Sequence, residues 1–404
     1  MKMKNKLLLF LCAIMLFSLA GCAKADPSEN ISSSVANIIE DKAVEEIKDV
    51  EITGNEVIDA ASRLMTDDNE LFLRAVEIAD GMTLEEKAGQ LFFARFPDEG
   101  TEEEIAYCHP AGYIFFGRDF ENSSPEKFKT DIEKYQGESK ITLLTGVDEE
   151  GGTVVRASKY PQFREAPFKS PRELYNEGGM DKVLEDAEEK SDFLKKLGIN
   201  VNLAPVCDIS NDSDNFIYDR SIGLDPQKTA EYVVRVQNEM KKHGMGSIIK
   251  HFPGYGDNAD THTGESIDTR DLDYLSRNDL VPFAAAIENG CDAILVSHNI
   301  IDAIDKDNIA TLSSAVHEFL RNEMDFKGVI VTDDMAMGAV ENIDSGDAAV
   351  KAVLAGNDLI ITSDLKTQYE AVLQALKSGE IGDNRLDESV CRVLLWKLKM
   401  GIIE

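Results

Sequence analysis

Five short apolar runs in this chain end in residues able to do chemistry. The run 141–147 is followed by Asp148, the run 200–206 by Cys207 and Asp208, and the run 247–251 closes on Lys250 and His251. The run 293–297 is followed by His298, and the run 328–332 by Asp333 and Asp334. An acid that directly follows an apolar strand has a rigidly placed backbone and little freedom left to lose, so Asp333 is suited to attack an electrophile. Its neighbour Asp334 fits better as a brace or as the N-cap of the next helix. In the loop after 247–251, Asp260-Thr261-His262 sets an imidazole two residues from a carboxylate. A histidine with an ordinary pKa of about 6.5 can give and take a proton near neutrality. Such a loop pair also serves as a plain surface hydrogen bond. Arg156 and Arg220 either hold polar ligand groups or pair with surface acids. His298 is placed to line the same mouth, whereas His109, His243 and His317 fit structural roles in loops and helices.

The elements that would position these groups follow from periodicity. From residue 71 onward, short apolar runs alternate with longer amphipathic segments, the pattern of repeated βα units and a parallel sheet. Eight strands are expected, at 89–96, 112–116, 141–147, 200–206, 247–251, 293–297, 328–332 and 358–362. Helices are expected at 181–197, 225–243, 276–289 and 313–323, with a last one at 387–399. This count predicts an α/β fold, a (β/α)8 TIM barrel forming a single catalytic domain over residues 66–404. A doubly wound open sheet is the alternative, but no G-x-G-x-x-G follows an early strand. Barrel enzymes hold their chemistry at the C-terminal ends of the strands, where the residues above fall.

The first residues carry Lys2, Lys4 and Lys6 before an apolar stretch over 7–20, which has the form of an export signal and is short for a membrane span. It ends in Leu19-Ala20-Gly21-Cys22, which resembles a bacterial lipobox and implies a signal peptide over residues 1–21, with a diacylglycerol on Cys22. The expected location is extracytoplasmic, anchored to the membrane through that lipid. Residues 22–65 read as a polar, Ser-rich tether followed by an acidic helical segment. The composition, 43% hydrophobic and 29% charged over 404 residues, suits a soluble enzyme with one large core. A net charge of −33 argues against a nucleic-acid partner, because phosphate binding needs clustered Lys and Arg. Cys108, Cys207, Cys291 and Cys391 are widely spaced, without a C-x-x-C pair, so neither a disulfide framework nor a zinc site is indicated.

The segments Val147-Asp148-Glu149-Glu150-Gly151-Gly152, Lys250-His251-Phe252-Pro253-Gly254-Tyr255-Gly256-Asp257 and Val331-Thr332-Asp333-Asp334-Met335-Ala336-Met337 together resemble glycoside hydrolase family 3. The resemblance runs from about residue 82 to the C-terminus, and Asp260-Thr261-His262 is similar to the element that marks its single-domain β-N-acetylglucosaminidase branch. It implies a carbohydrate substrate, terminal β-linked N-acetylglucosamine cleaved with retention, and together with the export signal it points to muropeptides or other cell-wall fragments as the source. It implies Asp333 as the nucleophile that forms a covalent glycosyl-enzyme, and His262, oriented by Asp260, as acid and then base. Most glycosidases use two carboxylates instead. It assigns sugar binding to Asp148, Arg156, Arg220, Lys250 and His251, with Asp208 expected to brace the arginines. The mechanism requires no metal and no other cofactor. Two departures stand out: Tyr255 where the family usually shows a second histidine, and a loop between His251 and His262 about one residue shorter than usual.

Three other functions fit parts of this pattern. A phosphorylase would pass the glycosyl group to phosphate, which a neutral histidine repels less than a carboxylate does. A β-glucosidase is weakened by the lack of a second domain to supply its acid. A lipoprotein that binds sugar without turnover would leave Asp333, Asp260 and His262 without a purpose.

Overall fold

The computed structural model describes residues 67–210, 212–258, 260–261, 266–337, 340 and 343–404. The export segment 1–21, Cys22, the segment 22–65 and His262 lie outside the described residues. The strands are β1 (Phe92–Arg95), β2 (Gly112–Phe115), β3 (Leu144–Val147), β4 (Val201–Asn202), β5 (Gly246–Ser247), β6 (Ile249–Phe252), β7 (Ile267–Asp268), β8 (Ala293–Val296), β9 (Ile300–Ile301), β10 (Asp305–Ile309), β11 (Val329–Thr332) and β12 (Ile360–Thr362). One sheet runs β12-β1-β2-β3-β4-β5 and a second runs β11-β8-β6, with every neighbouring pair parallel. Single parallel bridges join the two, Val206 with Lys250 and Val331 with Leu359.

These strands are rich in β-branched and aromatic residues because both of their faces are covered. Phe92, Val147, Ile249, Ile294, Ile330 and Ile360 belong to the large core shared with the helices. Phe93, Ile114, Leu144, Val201, Ile248, Leu295, Val331 and Ile361 meet instead in an inner core, closed by Trp396 of the last helix. Side chains alternate along a strand, so the residue two beyond an inner-core position emerges on the same face. That rule carries Arg95 from Phe93, Phe116 from Ile114, Lys250 from Ile248 and Asp333 from Val331 to one end of the sheets.

Several expected elements change length for local reasons. The fourth strand keeps only Val201–Asn202, since Pro205 soon follows and has no N–H to donate. The helix expected at 181–197 is the second half of Pro171–Lys196, which breaks helical geometry at Gly178 and Gly179. The helix expected at 276–289 divides into Leu272–Arg277 and Leu280–Glu288. The eighth strand starts at Ile360 rather than 358, because the buried Asp358 side chain is engaged elsewhere. It accepts from Ile330 N at 2.9 Å and Ser389 Oγ at 2.8 Å, and pairs with Arg321 and Arg392. A further small sheet, β10-β9-β7, was not expected, its strands being too short or too polar to show a period.

Among the described residues, Cys108, Cys207, Cys291 and Cys391 are free thiols. Among the described residues no helix is long and apolar enough to cross a membrane.

Lys397, on the last helix, is fully buried, and its Nζ donates to Gln90 Oε1 at 2.9 Å. Burial pushes its pKa down to about 7. The unfolded chain holds that proton up to about pH 10.4. Between these values the unfolded state binds more protons, so stability rises with pH. Lys397→Met is therefore expected to gain about 1–2 kcal/mol over the wild type at pH 7, net of the lost Gln90 bond, with the gain shrinking towards pH 10. Urea unfolding of both proteins across that range checks this, and a difference independent of pH would refute it.

Candidate active site

The three acids after β3 each hold something different. Asp148 accepts from Lys250 Nζ at 2.5 Å and lies 3.8 Å from Arg156 Nη2. Glu149, fully buried, accepts from the backbone N–H of Arg156 at 3.0 Å and of Ala157 at 2.8 Å, and from the Ser158 hydroxyl. Glu150 takes Arg220 bidentately, at 3.0 Å from Nε and 2.8 Å from Nη2, and takes Lys250 Nζ at 2.7 Å. The turn that lets three consecutive acids diverge needs Gly151, whose φ is +106° and whose absent Cβ would lie 2.1 Å from the Lys169 carbonyl oxygen.

From Arg220 the network passes to His251, whose Nε2 lies 3.0 Å from Arg220 Nη2. A guanidinium only donates, so Nε2 is the acceptor. The ring proton then sits on Nδ1 and is donated to Asp208 Oδ2 at 2.7 Å. The same carboxylate accepts from the backbone N–H of His251 at 3.1 Å and of Tyr255 at 2.7 Å. Asp208 thus braces the histidine and its loop rather than the arginines, and Glu150 does the work expected of Asp208.

Two acids, Asp148 and Glu150, face three cations, Arg156, Lys250 and Arg220, while Asp208 faces His251. Burial works to raise the pKa of Asp148 and Glu150, but neighbouring cations outweigh it and hold both below the ordinary carboxylate range. Burial alone would lower the pKa of Lys250; Asp148 and Glu150 reverse that and raise it. Asp148, Glu150 and Lys250 therefore keep their charges and are already oriented, which suits donors and acceptors aimed at sugar hydroxyls.

Asp333 stands at the end of β11, part-buried, and its backbone N–H donates to Val296 O at 3.0 Å. Its Oδ1 accepts from Asp334 N at 2.8 Å. His298 is fully buried, and its Nε2 donates to the Asp334 carbonyl at 3.0 Å while its Nδ1 lies 2.7 Å from Thr311 Oγ1. It supports the turn that carries Asp333 rather than lining the mouth. Asp334 accepts from Ala336 N at 3.0 Å, and burial raises its pKa.

Asp260 lies on the loop after β6, part-buried, while its partner in the motif, His262, is outside the described residues. The first half of that loop is held from three sides. Arg270 Nη2 donates to Gly254 O at 3.3 Å, Ser210 Oγ donates to Asp257 at 2.8 Å, and Asn215 Nδ2 donates to Asn258 O at 3.1 Å. Gly254 is required there, with φ +115° and only 2.7 Å between an added Cβ and Asp279 Cβ.

Two contributors escaped the sequence reading. Glu150 was passed over because its partner Arg220 is 70 residues away and nothing local announces the pair. Arg95 was hidden inside the run 89–96, although its spacing of two from Phe93 marks it as an inward residue at a strand end. Its guanidinium carbon lies 4.8 Å from the Phe116 ring centroid, and that of Arg156 lies 5.9 Å from the same ring.

The family model described as the glycosyl hydrolase family 3 N terminal domain matches residues 83–395. A beta-hexosaminidase of Nitrosomonas eutropha is 30% identical over 288 residues, covering 68% of this chain and 80% of that protein. The beta-hexosaminidase LpqI of Mycobacterium tuberculosis is 28% identical over 324 residues, covering 77% of this chain and 82% of that one. Among solved structures, a family 3 beta-N-acetylglucosaminidase from Paenibacillus sp. FPU-7 superposes with a TM-score of 0.75 at 32% identity over 80% of this chain. This chain covers 63% of that longer one. A family 3 member from Mycobacterium smegmatis gives 0.72 at 28% identity, covering 78% of this chain and 97% of its own. By the extent of the family match and the likeness of these relatives, the chain belongs to glycoside hydrolase family 3 and is a glycoside hydrolase.

Proposed function

We propose that this protein is a retaining, exo-acting β-N-acetylglucosaminidase on a closed (β/α)8 barrel, acting on fragments of peptidoglycan. The observation that carries the reading is the continuous set of contacts from Arg156 through Asp148, Lys250, Glu150 and Arg220 to His251 and Asp208, at the same strand ends as Asp333. The bridge between Val331 of β11 and Leu359, just before β12, supports closure of the barrel, since it joins a free edge of each sheet, and the bridge between Val206 and Lys250 links the chain after β4 to β6. The relatives' names support the acetamido sugar.

In this mechanism Asp333 attacks the anomeric carbon while His262 protonates the leaving oxygen, giving a covalent glycosyl-enzyme. His262, oriented by Asp260, then takes a proton from water, which attacks the same carbon and releases the sugar with its configuration retained. Asp148, Arg156, Arg220, Lys250 and His251 hold the sugar at its non-reducing end, which limits cleavage to terminal residues. We further propose that the chain acts outside the cytoplasm, held to the membrane by a lipid on Cys22.

The test is the initial rate of the intact protein on matched aryl β-N-acetylglucosaminides and β-glucosides, with and without phosphate. Preference for the acetamido sugar, with free N-acetylglucosamine released at a rate indifferent to phosphate, is expected. A phosphate-dependent sugar phosphate would make it a phosphorylase, glucoside preference a β-glucosidase, and tight binding without turnover a sugar receptor. His262→Ala should lose roughly 100-fold in kcat/KM on an alkyl leaving group, and much less on nitrophenyl, which departs without a proton.

A further inference from the structure

Tyr255 occupies the place where the resemblance leads one to expect a histidine, and its surroundings give it a task. It is buried, 1% exposed, and its backbone N–H is held by Asp208 at 2.7 Å. Its ring meets those of His251 and Phe216 edge-on, with centroids 5.1 and 5.0 Å apart. Its hydroxyl shares a hydrogen bond of 2.6 Å with the Thr261 hydroxyl, and Thr261 is itself fully buried. Thr261 is the residue between Asp260 and His262. An imidazole on the same backbone is shorter than a phenol and could not reach as far.

Burial, followed by the charge of Asp333, pushes the tyrosine pKa well above its ordinary value, so the hydroxyl stays protonated throughout the working range. The residue is therefore a fixed neutral strut, with Asp208 and His251 at one end and the acid/base loop at the other.

We infer that Tyr255 is a positioning residue, which through Thr261 sets the reach of the Asp260/His262 pair and ties it to the histidine that faces the sugar. The inference rests on the proposed role of His262 as the acid. A hydrogen bond between two hydroxyls in a dry setting holds position without competing for the catalytic proton.

The experiment compares kcat/KM of the wild type, Tyr255→Phe, Thr261→Val, the double variant and His262→Ala on nitrophenyl and alkyl β-N-acetylglucosaminides, with Tm for each. Tyr255→Phe and Thr261→Val should each lose roughly 10-fold on the alkyl substrate, and the double variant no more than either alone, because one shared bond is being removed. Losses on nitrophenyl should be under about 3-fold, and KM should hold within the same factor. Equal losses on both leaving groups, or additive losses in the double variant, would mean that Tyr255 only fills space. If His262→Ala shows no dependence on the leaving group, the acid assignment itself falls and the inference with it. If His262→Ala shows that dependence and Tyr255→Phe does not, the inference alone is overturned.

Discussion

Asp333→Asn is expected to lower kcat/KM on an aryl β-N-acetylglucosaminide by roughly ten-thousand-fold or more, because it removes the group proposed to form the covalent bond. The side chain is held for that task. Its own Oδ1 accepts from Asp334 N, its backbone N–H is fixed on β8 through Val296 O, and His298 anchors the next carbonyl from below. A nucleophile so constrained attacks without first ordering itself. Asparagine has the same shape and keeps an oxygen for Asp334 N, so Tm and the affinity for N-acetylglucosamine should stay close to wild type. In Asp333→Ala the vacated space admits a small external nucleophile, and azide should restore turnover of the nitrophenyl substrate with an α-glycosyl azide as product. Residual activity above about 1% in Asp333→Asn, checked for contaminating wild type, would remove Asp333 from the nucleophile role.

The placement of Asp333 was legible because strand ends announce themselves. A run such as 328–332 is apolar on both faces, and the first polar residue after it has nowhere to go but the mouth. The same logic found Asp148, Lys250 and His251. It missed Arg95 because the run 89–96 was read as one block, when Phe93 and Arg95 share a face and Phe92 and Ala94 share the other. It misread Asp208 because a strand-end acid looks the same whichever cation it serves. The partners of Asp208 are settled by the turn through Pro253 and Gly254, which brings the Tyr255 N–H back to it. His298 was read as a pocket residue for the same reason, while its ring is committed to Thr311 and the Asp334 carbonyl. Local spacing gives where a side chain emerges; it does not give which distant group closes on it, and Glu150 with Arg220 is the plainest case.

That pair leads to the second large effect. Glu150→Ala is expected to destabilise the protein by about 3–5 kcal/mol, the usual cost of removing one member of a buried ion pair and leaving its partner charged. The carboxylate is 1% exposed and serves two cations, Arg220 at 12% and Lys250 at 3%. Lys250 keeps Asp148 as an ion-pair partner, while Arg220 keeps a hydrogen bond to the ring nitrogen of His251. The cost therefore falls mainly on Arg220, which must stay charged in a site that no longer neutralises it. Glu150→Gln should lose less, since its amide oxygen still accepts one of the two Arg220 bonds. The two variants also separate architecture from binding. If Arg220 is oriented towards the sugar by Glu150, KM should rise more than kcat falls in Glu150→Gln, measured at a temperature where the variant is fully folded. Denaturant unfolding gives the first quantity and steady-state kinetics the second. A Glu150→Ala protein as stable and active as wild type would mean that the buried cluster neither holds this end of the fold together nor presents Arg220 to the substrate.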